Sequence, residues 1–442
     1  MDFRISLHKN KEIMGSNLIA VIFMIGYTNF YALTSAFHLN NTKVVMPAIL
    51  VFSVACAFCY HLNLKFYVSQ VMPPTRVMWF FFLAYQLVFT YSFSQNFILM
   101  ARQIMCWLIW CIISLCVNWD KSVLKWIIRV GYVNVIATLF LFIYPGAYSF
   151  VIKILGTVPA GTDMGAAGYR AGITDNYSQN GIFISMVVMA LGSIILMLPK
   201  GKKIEHKKEF VLLAFALIAL LLTSKRGVLI YSAFAFVVAY CLADSRRLVK
   251  KGFRVLLIAI FAIALFWILA QFIQPLSYVI DRFQNTAEDN STEERLTMWN
   301  LAITMFKKHP FLGCGTYSFR STYASLYAGV FHYGEQYALL NAHNTYLQVL
   351  AENGIVGFIM FISTAGFSLY RVIRLNRMLS REASSSIDKM NAFFSFVVQL
   401  YVLMYCFFGN CLYDIVFSFY CCALVLSEYL WFKNRRVSRA LK

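Results

Sequence analysis

Charge is scarce in this sequence, and acidic charge is scarcer still. Charged residues fill 13% of 442 positions, with 19 Asp and Glu against 39 Lys and Arg. Hydrophobic residues reach 60% and aromatics 17%. A water-soluble fold has nowhere to bury so much apolar surface, so the shortage of charge excludes one. It leaves an all-α polytopic membrane protein. Strict apolar–polar alternation is also missing, which disfavours a β-barrel.

Familiar nucleotide and metal signatures are absent. There is no Walker loop, HExxH, GxSxG or Asp-x-Asp pair. Gly313-Cys314-Gly315 lacks a third spaced glycine and follows no strand, which argues against a dinucleotide site. Catalysis, if present, is therefore expected to be metal-independent and cofactor-free, with a donor already activated on a lipid. Eleven cysteines give no disulfide framework. Most lie inside apolar runs, among them Cys106, Cys111, Cys116, Cys421 and Cys422, and Cys56-x-x-Cys59 sits mid-helix with no second pair, so packing is the expected role. No clear small-residue cleavage site follows the first apolar run, which reads as a retained span.

What is present is a series of about twelve apolar runs long enough to cross a bilayer. They lie near residues 17–37, 44–60, 77–94, 98–117, 123–144, 181–199, 210–223, 227–243, 255–273, 345–370, 392–408 and 412–432. With both termini in the cytoplasm, most of the 39 basic residues fall in inside segments, including 200–208, 246–254, 371–389 and 433–442. The net charge of +20 is thus a topology signal and a lipid contact, not a nucleic-acid footprint. Residues 1–273 carry spans one to nine, 274–344 form a large outer loop, and 345–442 carry spans ten to twelve with a basic tail. A second sizeable outer segment covers 145–180. Long ordered loops in compact helical proteins are usually functional.

Residues 291–357 are the stretch the rest serves. Ser291-x-x-Glu294 has capping-box spacing, and Lys307-Lys308-His309-Pro310 stops the helix it starts. Trp299, Ile303 and Phe306 form a stripe, so this helix is expected to lie in the outer interface with that face down. Gly313-Cys314-Gly315 makes a tight turn, and the Tyr-, Ser- and Gly-rich residues 317–337 suit contact with sugar. Trp299 joins the residues expected to touch substrate.

Cations outside the membrane run against the positive-inside preference. Arg170 lies in GYRAGITDNYSQNG, Lys225 and Arg226 in the short hairpin TSKRG, and Arg295 at the start of the loop helix. Snorkelling to lipid phosphate is the plain reading; holding an anionic substrate is the functional one. His343 opens span ten as an interfacial or capping histidine, or as a general base. A helix N-terminus keeps imidazole neutral and attracts an anion. Asn344 and Gln348 share a face and are expected to orient the imidazole or bind sugar. Glu352 is about half a turn out of phase with His343. Asp414, near the outer end of the last span, is a candidate to pair with an outer arginine, and Asp175, Asn176 and Asn180 to support Arg170, with packing or capping the stronger expectation for each of them singly. A transporter would instead show charge deep in the bundle and repeated broken helices.

Three blocks in order, SKRG, then R-x-x-x-W…P-F-L-G-x-G, then HNTYLQ-x-L-A-E-N-G-I-x-G, span roughly residues 223–361. They resemble the O-antigen ligase and Wzy-type polymerase superfamily. RAGITDNYSQNG is similar to that family's earlier outer-loop arginine motif, while the N-terminal third matches only in hydropathy. The resemblance implies a twelve-helix GT-C-like glycosyltransferase in the bacterial plasma membrane, with its site on the outer face. The donor would be an undecaprenyl-diphosphate-linked glycan. Ligases pass it to lipid A–core; polymerases pass it to the next lipid-linked repeat unit and work beside a chain-length regulator. The resemblance implies His343 as base and Arg170, Arg226 and Arg295 as the diphosphate clamp, with Lys225 the alternative to Arg226. Direct displacement would invert the anomeric centre.

Overall fold

Continuous apolar runs fold as helices, because a helix satisfies its own backbone where water is absent. A computed structural model describes residues 46–59, 73–114, 119–155, 168–174, 176–198, 206–243, 290–327, 340–381 and 385–440, with Phe253, Trp267, Ile268 and Gln271 singly. Among them are α1 (Met46–Cys59), α2 (Pro74–Val88), α3 (Phe93–Ile113), α4 (Val123–Ile143), α5 (Tyr148–Leu155), α6 (Tyr177–Met197) and α7 (Lys207–Leu222). There follow α8 (Arg226–Ala243), α9 (Asn290–Lys308), α10 (Ser318–Tyr327), α11 (Thr345–Arg381), α12 (Ser386–Tyr405) and α13 (Val416–Ala440). The described residues hold no strand, only an isolated bridge between Thr90 and Thr316.

Six of these helices are long and apolar enough to cross a membrane: α4, α6, α8, α11, α12 and the first part of α13. The chain is a multi-pass membrane protein. Of the twelve expected runs, 17–37 lies outside the described residues, and 255–273 almost wholly so. α6 is apolar all round, and most of its length is buried, as expected of a helix enclosed by others. It packs against α4, α7 and α12, while α12 also contacts α8 and α13. α8 turns Ile230, Phe234 and Val237 outward, the face a lipid-exposed helix presents.

Two buried ionic clusters tie the bundle at the end remote from the α11 N-terminus. Glu428 of α13 takes Arg76 of α2 at 3.0 Å and Arg371 of α11 at 3.6 Å. Lys433 bridges Asp120 at 2.9 Å and Asp388 at 2.8 Å. Buried charge is costly unless paired in this way.

The loop helix α9 lies on α11. Its packed face is Met298, Leu301, Ala302 and Met305, which form a small core with Phe319, Tyr323, Ala342 and Ala351. The expected stripe is therefore displaced: Ile303 is exposed, and Trp299 only flanks the core. Both stripes have helical spacing, and the more continuous one, beginning at Glu294, won. The segment expected as a sugar-contacting loop folds in part as α10.

α11 is broken at Gly354, where φ is +61° and ψ −167°. A break leaves backbone groups without helical partners. The PFLGCG segment supplies them. Ile355 N–H donates to Pro310 O (2.8 Å) and Val356 N–H to Phe311 O (3.3 Å), while Cys314 N–H and Gly315 N–H donate to Ala351 O (3.0 Å) and Glu352 O (2.9 Å). A Cβ at Gly354 would overlap the Phe311 carbonyl, and one at Gly313 would overlap Glu352. Gly354→Ala is expected to cost about 1–3 kcal/mol in backbone strain alone, before that overlap. A fall in the unfolding temperature of the detergent-solubilised protein checks this; an unchanged melt would contradict the account.

Candidate functional site

The short turn between α7 and α8 projects two cations. Thr223 closes α7 with its hydroxyl on Leu220 O (2.7 Å), Ser224 takes a left-handed φ of +53°, and Lys225 N–H lies 3.4 Å from the Thr223 hydroxyl. Lys225 and Arg226 then emerge at the first turn of α8. Across from them, α9 offers Glu294 and Arg295 from its own first turns. Glu294 accepts from Tyr323 OH at 3.4 Å, and burial raises its carboxyl above the usual range, against Tyr323 and Arg295.

His343 sits on the turn before α11 with a left-handed φ of +49°. A non-glycine residue holds that conformation only when its neighbours fix it. Each residue of the motif does a separate part of this. Asn344 caps α11, accepting from Leu347 N–H at 3.1 Å. Thr345 fastens the helix start to the α12–α13 connection, with its hydroxyl on Gly409 O (2.8 Å) and its N–H on Cys406 O (2.8 Å). Gln348 accepts from Ala342 N–H (3.0 Å) and donates to Asn341 Oδ1 (3.1 Å). Trp299 donates its indole N–H to Ala342 O at 3.1 Å.

These elements enclose one cavity of about 440 Å³, in the range of small-molecule sites. Lys225, Arg226, Arg295 and His343 all line it, with Glu294, Asp414, Asn410, Tyr177, Tyr231 and Phe408. The residues come from α6, the α7–α8 turn, the start of α8, α9, the turn before α11 and the α12–α13 connection. Burial, then the charges of Arg295 and Lys225, holds the His343 imidazole well below its ordinary value, to about 3. Asn410 places its side-chain amide 3.4 Å from His343 Nδ1.

Four of the residues expected at the site therefore share the cavity. Arg170 stands behind it. It is buried in the turn Gly168–Arg170, with its guanidinium 4.6 Å from the centre of the Tyr177 ring. Tyr177 lines the cavity and also carries the Lys225 ammonium at 5.1 Å. Asn180 supports that turn, donating to Arg170 O (3.0 Å) and to Thr138 (2.8 Å), and Asn176 caps α6. Asp175 lies outside the described residues.

Asn344 and Gln348, expected to orient the imidazole or bind sugar, and Trp299, expected to touch substrate, do not line this cavity; their polar groups hold the backbone around His343. Asp414 lines the cavity and, among the described residues, accepts from Tyr405 OH (2.9 Å) and Ile415 N–H (2.7 Å) rather than from an arginine. Asn410, Tyr177 and Phe408 were not anticipated. For Asn410 the signal was the polar break FFGNCLYD between two apolar runs.

Residues 211–362 match the Wzy_C family model, described as O-antigen ligase. No curated protein matches the sequence. The matched segment runs from α7 into α11 and so contains Lys225, Arg226, Arg295 and His343, while Arg170, Asn410 and Asp414 lie beyond it. That similarity, over part of the chain, is to an O-antigen ligase family of surface-polysaccharide assembly.

Proposed function

We propose that this protein is a Wzy-type polymerase that moves a glycan from undecaprenyl diphosphate to a sugar hydroxyl of the next lipid-linked repeat unit. The reaction takes place at the extracytoplasmic face of the bacterial plasma membrane, with both termini in the cytoplasm. The observation that carries this reading is the shared cavity: one imidazole and three cations from distant parts of the chain face the same space.

In this mechanism the acceptor hydroxyl attacks the anomeric carbon and its proton passes to His343. The bond to the donor phosphate oxygen breaks from the opposite side, inverting the centre, and undecaprenyl diphosphate departs. Arg226, Lys225 and Arg295 hold the diphosphate and stabilise the charge that grows on it. They supply the positive charge that a metal supplies to many nucleotide-sugar enzymes, so the step needs no metal. Arg170 acts through Tyr177. His343 has an ordinary route to the correct tautomer. The Asn410 amide nitrogen faces Nδ1, while the Asn410 oxygen is buried with no partner among the described residues; turning that amide over brings the oxygen to accept Nδ1–H and leaves the lone pair on Nε2.

The second reading is a ligase with lipid A–core as acceptor, favoured by the family's own description as O-antigen ligase. Both need the same base and clamp and differ only in acceptor. Reconstitution in proteoliposomes with a lipid-linked repeat unit, with and without lipid A–core, separates them. A ladder of products identifies the polymerase, and a single transfer to the core identifies the ligase. No transfer to either acceptor would defeat both.

A further inference from the structure

Glu352 is a fully buried carboxyl inside α11, on the protein side of the His343 turn. The catalytic proposal gives it no part. Its surroundings are specific nonetheless. Oε1 accepts from Gln348 Nε2 at 3.0 Å and from Phe319 N–H at 3.3 Å, and Oε2 accepts from Tyr413 OH. One arm leads to the base from upstream. Gln348, held by Glu352, fixes Asn341 and the N–H of Ala342, the residue before His343. The other arm leads to it from the far side. Tyr413 ends the turn Cys411–Tyr413, and the residues flanking that turn, Asn410 and Asp414, both line the cavity. Asn410 is the neighbour of His343 Nδ1.

We propose that Glu352 is a positioning residue: a single carboxyl fastens the two chain segments whose meeting sets the His343–Asn410 contact. The inference rests on the reading of His343 as the base. Burying a carboxyl in apolar surroundings costs free energy unless hydrogen bonds compensate, and here three donors converge on it. The two arms are separately breakable. Tyr413→Phe removes one hydroxyl and keeps the ring that packs edge-on to Tyr317 at 5.0 Å. Glu352→Gln offers one acceptor oxygen where three donors meet, and its NH2 faces another donor.

The test uses the full-length protein in proteoliposomes with a lipid-linked repeat unit as substrate. Tyr413→Phe is expected to lower kcat roughly tenfold and Glu352→Gln roughly a hundredfold, the scale of a small misplacement of a reacting group. Donor KM should stay unchanged in both. On a His343→Ala background neither variant should lower the residual rate further, because nothing is left to position. Full kcat in both variants overturns the proposal. So does a further loss on the His343→Ala background, or failure of Tyr413→Phe to fold, since each marks a merely structural role. If Glu352→Gln alone fails to fold, Tyr413→Phe decides. Undiminished turnover in His343→Ala removes the base assignment itself; loss there with full kcat in the other two removes only the positioning.

Discussion

His343→Ala is expected to lower turnover by about 10²–10⁴, the usual contribution of a positioned general base, while leaving the protein folded and donor KM nearly unchanged. The side chain lines the cavity. Asn344 and Thr345, not His343, fasten the start of α11. The pH dependence gives a second readout. Buried among cations, the free imidazole is held down to about 3, against about 6.5 in an unfolded chain. The stability this neutral group contributes is complete above about pH 6.5 and is lost as pH falls toward 3. Bound diphosphate offsets the push of Arg295 and Lys225, so the imidazole becomes a stronger base in the complex. The acid limb of kcat should therefore lie at higher pH than that of kcat/KM, and His343→Ala should abolish both limbs. A limb that persists in the variant would assign the titration to another group, and normal turnover in it would end the base assignment.

The bundle was legible because lipid-facing and buried helices are both written as long apolar runs, and ten of the expected runs fall on described helices. The cations were legible for a related reason: outside the membrane they are exceptions. What the sequence did not reveal is how motifs answer one another. PFLGCG and ENGI stood out separately. Only coordinates show that the first supplies hydrogen-bond partners to the backbone that Gly354 breaks open in the second. Periodicity reports that Asn344 and Gln348 share a face, yet it is silent on whether that face meets substrate or protein. Asn410 was harder still, since it reaches His343 across 67 residues. A capping asparagine and a ligand-binding one are the same letter.

Arg226→Ala is the second large effect, a loss of about 10²–10³ in kcat. Two adjacent cations face the cavity, and their surroundings differ. Lys225 holds its ammonium against the Tyr177 ring, which Arg170 also contacts. Its charge is shared with an aromatic face, and its loss should cost less, on the order of tenfold. Arg226 opens α8, where the positive helix end adds to its own charge, and its planar fork suits two phosphate oxygens at once. Arg226→Lys keeps the charge and loses the fork, so it should recover only part of the rate. Single-turnover rates with a lipid-linked repeat unit, alongside donor KM, rank the three variants. Full rescue by lysine would mean that a point charge is enough. A larger loss in Lys225→Ala than in Arg226→Ala would transfer the diphosphate contact to the lysine. Wild-type rates in both would return the pair to lipid headgroups, and with them the case for a clamp at this turn.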